Sequence, residues 1–361
     1  MLSVDRLRFA LVGAGRFGKK RADAIAKSDC AQLAYVVDAI RDTARDTSQR
    51  TGAEEVSFEE LLSKRDYDVA LVATPNKWHR ELTVKLLEAG KDVWCEKPMS
   101  SSTNEAREML LKSIETGRML KVGSNVRYFP NIMRATELIR KGLPGRVHYF
   151  RGWIGNEGLH LLNNSWYARK NLIGRGTLLD NGVHVIDLIR YLVDEIVRCY
   201  ACKLANIKWR LDIEDNAVAV YDLLNGGIAT VLSSWTERSG YMYFEIHGEE
   251  GYIHVDSRWS NALLTYGKSH DKPVREDHTQ FPKTSYALEL EDFVDSYRIG
   301  SHPRPTSYDG YRAVKVIFSS YSSASTGEPV KALDQSDEEL MQMFTKAFDV
   351  DEEYLRAREP E

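Results

Sequence analysis

Lys97, Asp180, His184 and Asp187 are the side chains of this sequence whose types and spacing could do chemistry together. Lys97 stands in "DVWCEKPMS", where an apolar run stops on Glu96, Lys97 and Pro98. Unpaired charges are costly away from water, and proline is confined to the margins of a sheet. The run therefore reads as a buried strand that ends here, with Lys97 just beyond it. An ammonium in that position can hydrogen-bond a hydroxyl and stabilise an alkoxide as it forms. "GTLLDNGVHVIDLIRYLVD" spaces Asp180, His184 and Asp187 at i, i+4 and i+7 among apolar residues. If the helix begins by Asp180, all three share one face. Imidazole exchanges a proton near neutral pH. A lysine plus an acid–imidazole stripe is equipment for moving a proton while a hydride moves. Taken singly, each has a blander reading, as a solvated strand end or a satisfied core histidine.

A hydride needs a carrier, and "VGAGRFG" supplies a place for one. Gly13, Gly15 and Gly18 have G-x-G-x-x-G spacing between a strand and a helix. The first glycine permits a tight turn, the second lets backbone approach a pyrophosphate, and the third packs helix on strand. Asp38 follows Gly18 by 20 residues, at the end of the next strand, where an acid binds the adenosine ribose hydroxyls. It would repel a 2′-phosphate, which favours NAD. Arg41 lies close enough to weaken that preference, so NADP stays open. The predicted cofactor contacts are Gly13, Gly15, Arg16, Phe17, Gly18, Asp38 and Arg41 from the first two turns. Thr74, Pro75, Asn76 and His79 of "ATPNKWH", with Glu96, Lys97 and Asn125, complete the set at the carboxyl edge of the same sheet.

The elements that must position these groups can be read from the pattern. "RFALVGAG", "AQLAYVVDA", "YDVALVATP", "KDVWCEKP" and "RMLKVGSN" are strands, separated by helices such as "WHRELTVKLLEAG" and "STNEAREMLLKSIETG". Alternation of this kind implies parallel pairing through right-handed crossovers. Residues 1–125 are expected to form a Rossmann doubly wound parallel sheet. Beyond "RYFPNIMRATELIRKGLPGRV" strands come in longer runs with "NGG" and "GEEG" turns of hairpin type. Residues 126–335 are expected to form an α+β domain on a largely antiparallel sheet. Residues 336–361 are predicted to be a charged helical extension, packed loosely or against a neighbouring subunit.

The sequence resembles the glucose–fructose oxidoreductase/inositol dehydrogenase/MocA family across residues 6–333. The resemblance rests on "VGAGRFG", "VATPNKWH", "CEKPMS", "VGSNVRYFP", "LLDNGVHVIDLIRYL", "EDNAVAVYDLLNGG", "EIHGEEGYIHVD" and "RPTSYDGYRAVKVI". It implies a C-terminal mixed sheet with one open face, and homodimers or homotetramers that pair those faces. It implies that Lys97 contacts both the nicotinamide ribose and the substrate, after a bond to Pro98 that is often cis. Asp180 and His184 match the family's acid and histidine, with His184 as the acid/base, and Asp187 matches a position that can bind substrate hydroxyls. Arg127 and Tyr128 fall where the family lines its substrate pocket. Where the family commonly has three successive glycines, this chain has Gly174, Arg175 and Gly176, so an anionic substrate stays open. Trp153, Trp166 and Trp235 could stack on a sugar ring, with Trp166 the candidate carried forward as a substrate contact.

These residues point to an NAD-dependent oxidoreductase acting on a secondary alcohol or ketone of a sugar, cyclitol or nucleotide sugar. An NAD-dependent glycosidase using transient oxidation is the alternative. A non-catalytic dinucleotide sensor is disfavoured because Lys97, Asp180 and His184 are all retained. Composition agrees. With 361 residues, 49 basic against 53 acidic groups and a net charge of −4, neither nucleic acid nor membrane is an expected partner. The N-terminus lacks the pattern of a signal peptide, and a cytoplasmic location is expected. "CYAC" brings Cys199 and Cys202 to metal-ligand spacing, but no second pair accompanies them, so no metal is expected.

Overall fold

The computed structural model describes residues 6–161, 165–238, 240–268 and 270–351. Its first sheet has six strands: β1 Leu7–Val12, β2 Ala31–Val37, β3 Glu54–Glu55, β4 Val69–Val72, β5 Asp92–Cys95 and β6 Leu120–Val122. They run in the order β3-β2-β1-β4-β5-β6, every pair parallel. Both faces are covered by helices, which is why β4 reads "VALV" and is buried at every position. The order reverses between β1 and β4, and such a reversal opens a crevice at the carboxyl ends of the two strands.

The chain divides into two units. The first takes the residues up to Asn125 together with Lys283–Tyr311 and Lys346–Phe348. The segment Lys283–Tyr311, placed in the second domain on sequence pattern, thus folds with the Rossmann sheet. Packing explains this. Phe293, on the helix Ser285–Arg298, stacks on Trp94 with ring centroids 4.9 Å apart and lies 5.7 Å from Phe9. All three are fully buried.

The second unit takes Val126–Pro282, Arg312–Thr345 and residues from Asp349 on. Its sheet has nine strands: β7 Val147–Gly155, β8 Ile196–Ala205, β9 Asn216–Leu223, β10 Ile228–Ser234, β11 Met242–Gly248, β12 Gly251–Asp256, β13 Leu263–Lys268, β14 Val274–Asp277 and β15 Val330–Lys331. The order is β14-β13-β12-β11-β7-β10-β9-β8-β15, antiparallel except where β7 meets β10. One face, carrying Phe150, Ile154, Ala219, Tyr221, Val231, Phe244 and Ile246, joins the helix Val183–Leu192 in a single apolar core. Alternation along the strands sends Tyr149, Val218 and Leu232 to the other face, where they remain 40%, 47% and 39% exposed. The open-faced mixed sheet is as the sequence led one to expect.

The C-terminal extension is not loosely packed. A helix spans Gln335–Phe348, capped by Asp334, and buries Leu340, Met341 and Phe344. Asp337, which is fully buried, pairs with Arg312 and with Lys315. Residues 352–361 of the predicted extension lie outside the described residues.

Candidate active site

The glycine loop leaves β1 and starts the helix Arg16–Ala26. Gly13 has φ 97°, and a Cβ there would lie 2.7 Å from the Ala73 carbonyl carbon, so the β1 and β4 loops touch across it. A Cβ on Gly18 would lie 1.9 Å from the Gly13 carbonyl oxygen. These two glycines are required by the protein itself. Gly15 is different: its Cβ would meet nothing within 4 Å. Gly15 is also the N-cap of the helix and brings no side chain to the first amides.

Asp38 accepts from the Ala14 amide at 2.7 Å and from the Ile40 amide at 2.8 Å, fixing the β2 turn against the glycine loop. Arg41 is largely exposed and lies 3.5 Å from Glu55. Arg16 lies over the Phe17 ring at 5.6 Å. Among the residues after β4, Thr74 has a buried hydroxyl without a hydrogen-bond partner among the described residues. His79 is not on the helix surface. It is 1% exposed, with Nδ1 2.9 Å from the Pro98 carbonyl and Nε2 2.9 Å from the Thr74 carbonyl. It ties the loop after β4 to the loop after β5. Burial pushes its pKa down, against the pull of the two carbonyls. Asn125 donates to Ser285 at 3.0 Å, while Asn76 is buried beside His79 and Pro75 is half-buried.

The geometry explains why the strand ends on two charged residues, Glu96 and Lys97. Glu96 is buried and accepts from Arg21, which also pairs with Glu289 at 2.7 Å. Glu289 in turn takes Lys121 at 2.7 Å and the Ser124 amide at 2.8 Å. Arg21 and Lys121 lie 4.6 and 4.4 Å from the Trp94 ring centroid, cations over a π face. Burial pushes Glu289 up, but Arg21 and Lys121 hold it down to about 2. Glu96, predicted as a cofactor contact, is thus the outer end of a buried ion network that anchors the strand end. Lys97 follows it, half-buried, with its ammonium 5.9 Å from the Phe17 ring and a cis bond to Pro98. Arg21, Lys121 and Glu289 were missed in the sequence, because nothing local marks a helix arginine as buried.

In the second unit Asp180, His184 and Asp187 are 6%, 4% and 5% exposed. The segment is helical before Asp180, but as a π turn over Leu178–Gly182 that runs into the α-helix Val183–Leu192. Turns of this kind recur at functional sites. Glu214 caps the segment, accepting from the Gly176 amide at 3.0 Å, the Leu178 amide at 3.1 Å and the Tyr321 hydroxyl at 2.6 Å. Gly176 passes so close to the Glu214 backbone that a Cβ would lie 1.8 Å from its carbonyl oxygen. Arg175 rests over the Tyr321 ring at 5.0 Å and lines an open cavity of about 390 Å³ with Asp212 and Glu214.

Two predicted substrate contacts are brought together. Arg127 donates through Nε and Nη2 to both oxygens of Asp187, so this pair neutralises itself. Tyr128, in the short 3-10 helix Asn125–Tyr128, is half-buried. Asp180 has a neighbour that sequence reasoning missed: His160, with Nε2 3.9 Å from Asp180 Oδ2. The His160 ring meets Tyr167 and Trp235 edge-on at 4.9 and 5.3 Å, and Trp166 stacks on Tyr167 at 3.8 Å. Trp235 is fully buried, with its indole N–H unpartnered among the described residues. Trp153 lies instead on the open sheet face, with Arg258 5.8 Å from its ring.

Residues 7–124 match the sequence model described as "Oxidoreductase family, NAD-binding Rossmann fold", and residues 132–254 match the "GFO/IDH/MocA C-terminal domain". The chain belongs to the GFO/IDH/MocA oxidoreductase family. It is similar to levoglucosan dehydrogenase of Pseudarthrobacter phenanthrenivorans, 26% identical in an alignment 353 positions long that covers 87% of this chain and 87% of that one. It is similar to inositol 2-dehydrogenase of Rhizobium meliloti, 25% identical over 85% of this chain and 94% of that one. A solved levoglucosan dehydrogenase in complex with NADH and levoglucosan superposes with TM-score 0.82 at 25% identity, covering 91% of this chain and 99% of that chain.

The first unit of this GFO/IDH/MocA member is an NAD-binding Rossmann domain, and its residues fit the cofactor. The open space beside Gly15, the uncapped helix start and the orphaned Thr74 hydroxyl belong to the loops that follow β1 and β4, where a dinucleotide would supply the missing partners. Among the described residues no helix is long and apolar enough to cross a membrane.

Proposed function

We propose that this oxidoreductase moves a hydride between NAD and a secondary alcohol or ketone of a sugar, cyclitol or nucleotide sugar, with Lys97 and His184 handling the proton. One observation carries the reading: Lys97 emerges at the carboxyl edge directly after Glu96, which a buried ion network pins in place. A catalytic ammonium needs such a fixed base, because about 1 Å of misplacement can cost a hundredfold in rate. Levoglucosan and inositol, the compounds for which these relatives are named, are polyols of this class.

Bound NAD supplies the hydride acceptor or donor. The Gly13–Gly18 loop holds the pyrophosphate at the helix start, and Asp38 holds the adenosine ribose. Lys97 donates a hydrogen bond to the reacting oxygen and stabilises its charge as it develops. His184 takes the hydroxyl proton in oxidation and returns it in reduction. Asp180, one helical turn before His184 and 3.9 Å from His160, orients the His184 imidazole. The Arg127–Asp187 pair braces the helix that carries His184, and Trp166 offers a flat apolar face to a sugar ring. A homodimer or homotetramer with the open sheet faces in contact accompanies this reading, as does a cytoplasmic location, where the four free thiols would stay reduced.

The test is NADH formation by the purified protein with levoglucosan, myo-inositol, scyllo-inositol, a nucleotide sugar and aryl glycosides. NADH accumulating with one or more polyols supports the dehydrogenase. Glycoside cleavage without accumulated NADH would support the glycosidase instead. Light scattering checks assembly, and a monomer at micromolar concentration contradicts it.

A further inference from the structure

The open face of the second sheet carries a cluster that the redox chemistry does not use. Glu245 and His247 lie two apart on β11, so they share a face. His254 on β12 stands directly opposite Glu245. Their ligand atoms all lie within 4.8 Å of one another. His247 Nε2 and His254 Nε2 are 3.3 Å apart, and His247 Nε2 is 3.7 Å from Glu245 Oε2. Two donors each about 2.05 Å from a tetrahedral zinc ion are separated by roughly 3.3 Å. The two imidazoles are already at that spacing, and the carboxylate, 3.7 Å from His247 and within 4.8 Å of His254, closes the set by a side-chain adjustment of about an ångström.

The surroundings favour a ligand set over a chance cluster. The Tyr243 hydroxyl donates to Glu245 Oε1 at 2.6 Å, leaving Oε2 turned toward the histidines. Outer partners of this type orient metal ligands. The His247 ring is stacked by Tyr149 at 4.6 Å and by Tyr252 at 5.9 Å. Arg151 Nη2 reaches Glu245 Oε2 at 2.6 Å, so it competes with a cation for that oxygen. Arg151 is 65% exposed whereas the Glu245 side chain is 9% exposed, so the guanidinium is the member of the pair that can turn out to water and leave the carboxylate in place.

We propose that Glu245, His247 and His254 bind one divalent transition-metal ion of the zinc class on the open sheet face, with a fourth position left to water or to a side chain of a copy stacked on that face. Two imidazoles and a carboxylate suit zinc over magnesium or calcium. The site is separate in sequence and chemistry from Lys97 and His184, and it does not depend on the proposed dehydrogenase reaction.

The experiment is titration of the chelator-treated full chain with Zn²⁺ by calorimetry, and with Co²⁺ by visible absorption. The expected result is one saturable equivalent per chain, with the intense cobalt bands of a four-coordinate site. His247→Gln and His254→Gln should each weaken uptake by more than the roughly 10–100-fold that an outer-shell loss costs. Arg151→Ala should tighten it, by freeing Glu245. Circular dichroism confirms that each variant is folded. Absence of a saturable equivalent, uptake that survives the double histidine substitution, or unchanged or weaker binding in Arg151→Ala overturns the site.

Discussion

Arg127 and Asp187 are each about 5% exposed and meet through two parallel hydrogen bonds, 2.8 and 2.6 Å long. Arg127 also lies 4.1 Å from the Tyr191 ring. Removing one member of a buried pair leaves the other charge uncompensated, which typically costs 3–5 kcal/mol. Arg127→Ala is therefore expected to lower the unfolding free energy by about that much. The double variant Arg127→Met/Asp187→Leu should lose less than either single one. Urea unfolding measures this, and strictly additive losses would show that the pair is not coupled.

Gly15 and Gly18 make opposite demands. Gly18→Ala forces a Cβ into the Gly13 carbonyl and should lower the melting temperature with or without cofactor. Gly15→Ala should leave the melting temperature of the free protein unchanged and weaken NADH binding. Thermal melts and NADH fluorescence titration separate the two, and unimpaired NADH affinity in Gly15→Ala would count against the pyrophosphate position.

On the proposed reading Asp38 would set the cofactor preference. The protein should bind NADH more tightly than NADPH, and Asp38→Ala should erode the difference. Its loss also removes acceptors from the Ala14 and Ile40 amides, so affinity for both cofactors should fall. Tighter NADPH binding by the unaltered protein sinks the assignment.

Lys97→Ala and His184→Ala should each cut turnover heavily, by the 10²–10⁴-fold typical of a general acid–base or about a hundredfold for a lost alkoxide donor. Their effects should not add fully, because both serve one oxygen and one proton. NAD affinity should change little. Asp180→Asn should do less than His184→Ala. Single-turnover reduction of NAD by a verified substrate decides it: full-rate reduction by His184→Ala would transfer the base role to Lys97.

Acid should unfold the protein through its buried carboxylates. Arg21 and Lys121 hold Glu289 at about 2, and Arg190 and Arg312 hold Glu195 at about 2, each against burial. Both lie below the ordinary value of 4.5, so the folded state holds these protons more weakly than the unfolded chain. Their stabilisation is complete above pH 4.5 and is lost as pH falls toward 2. Glu289→Gln should flatten that acid limb in melting curves recorded against pH. An unchanged limb contradicts the network.

What the sequence showed plainly was local. Strand and helix alternation, the glycine turn, the strand end at "EKP" and the apolar helix bearing His184 are each fixed by neighbours within a few positions. What it hid depends on distant pairing. Glu289 completes a network under Glu96 from far along the chain, and that same residue draws its helix into the first unit. His160 sits in an unremarkable "GLHLL" and gains meaning only beside Asp180. The π turn at Leu178–Gly182 has no periodic signature, since it is imposed by Glu214 gripping the Gly176 and Leu178 amides. Nothing local marks His79 as buried, because its two carbonyl partners come from separate loops.

The margins of the nine-stranded sheet govern how it can meet another protein. At one end β15 is only two residues long, and at the other β14 reads "VRED", with Arg275 and Glu276 in the middle of the strand. A short strand offers little template for a further one, and a charged strand repels it. Growth by edge addition, the route to fibrils, is therefore blocked at both ends. A second copy meeting this sheet, as in the homo-oligomer proposed above, would have to stack on its open face, so its contacts would form between side chains rather than along backbones and would be open to adjustment by single substitutions.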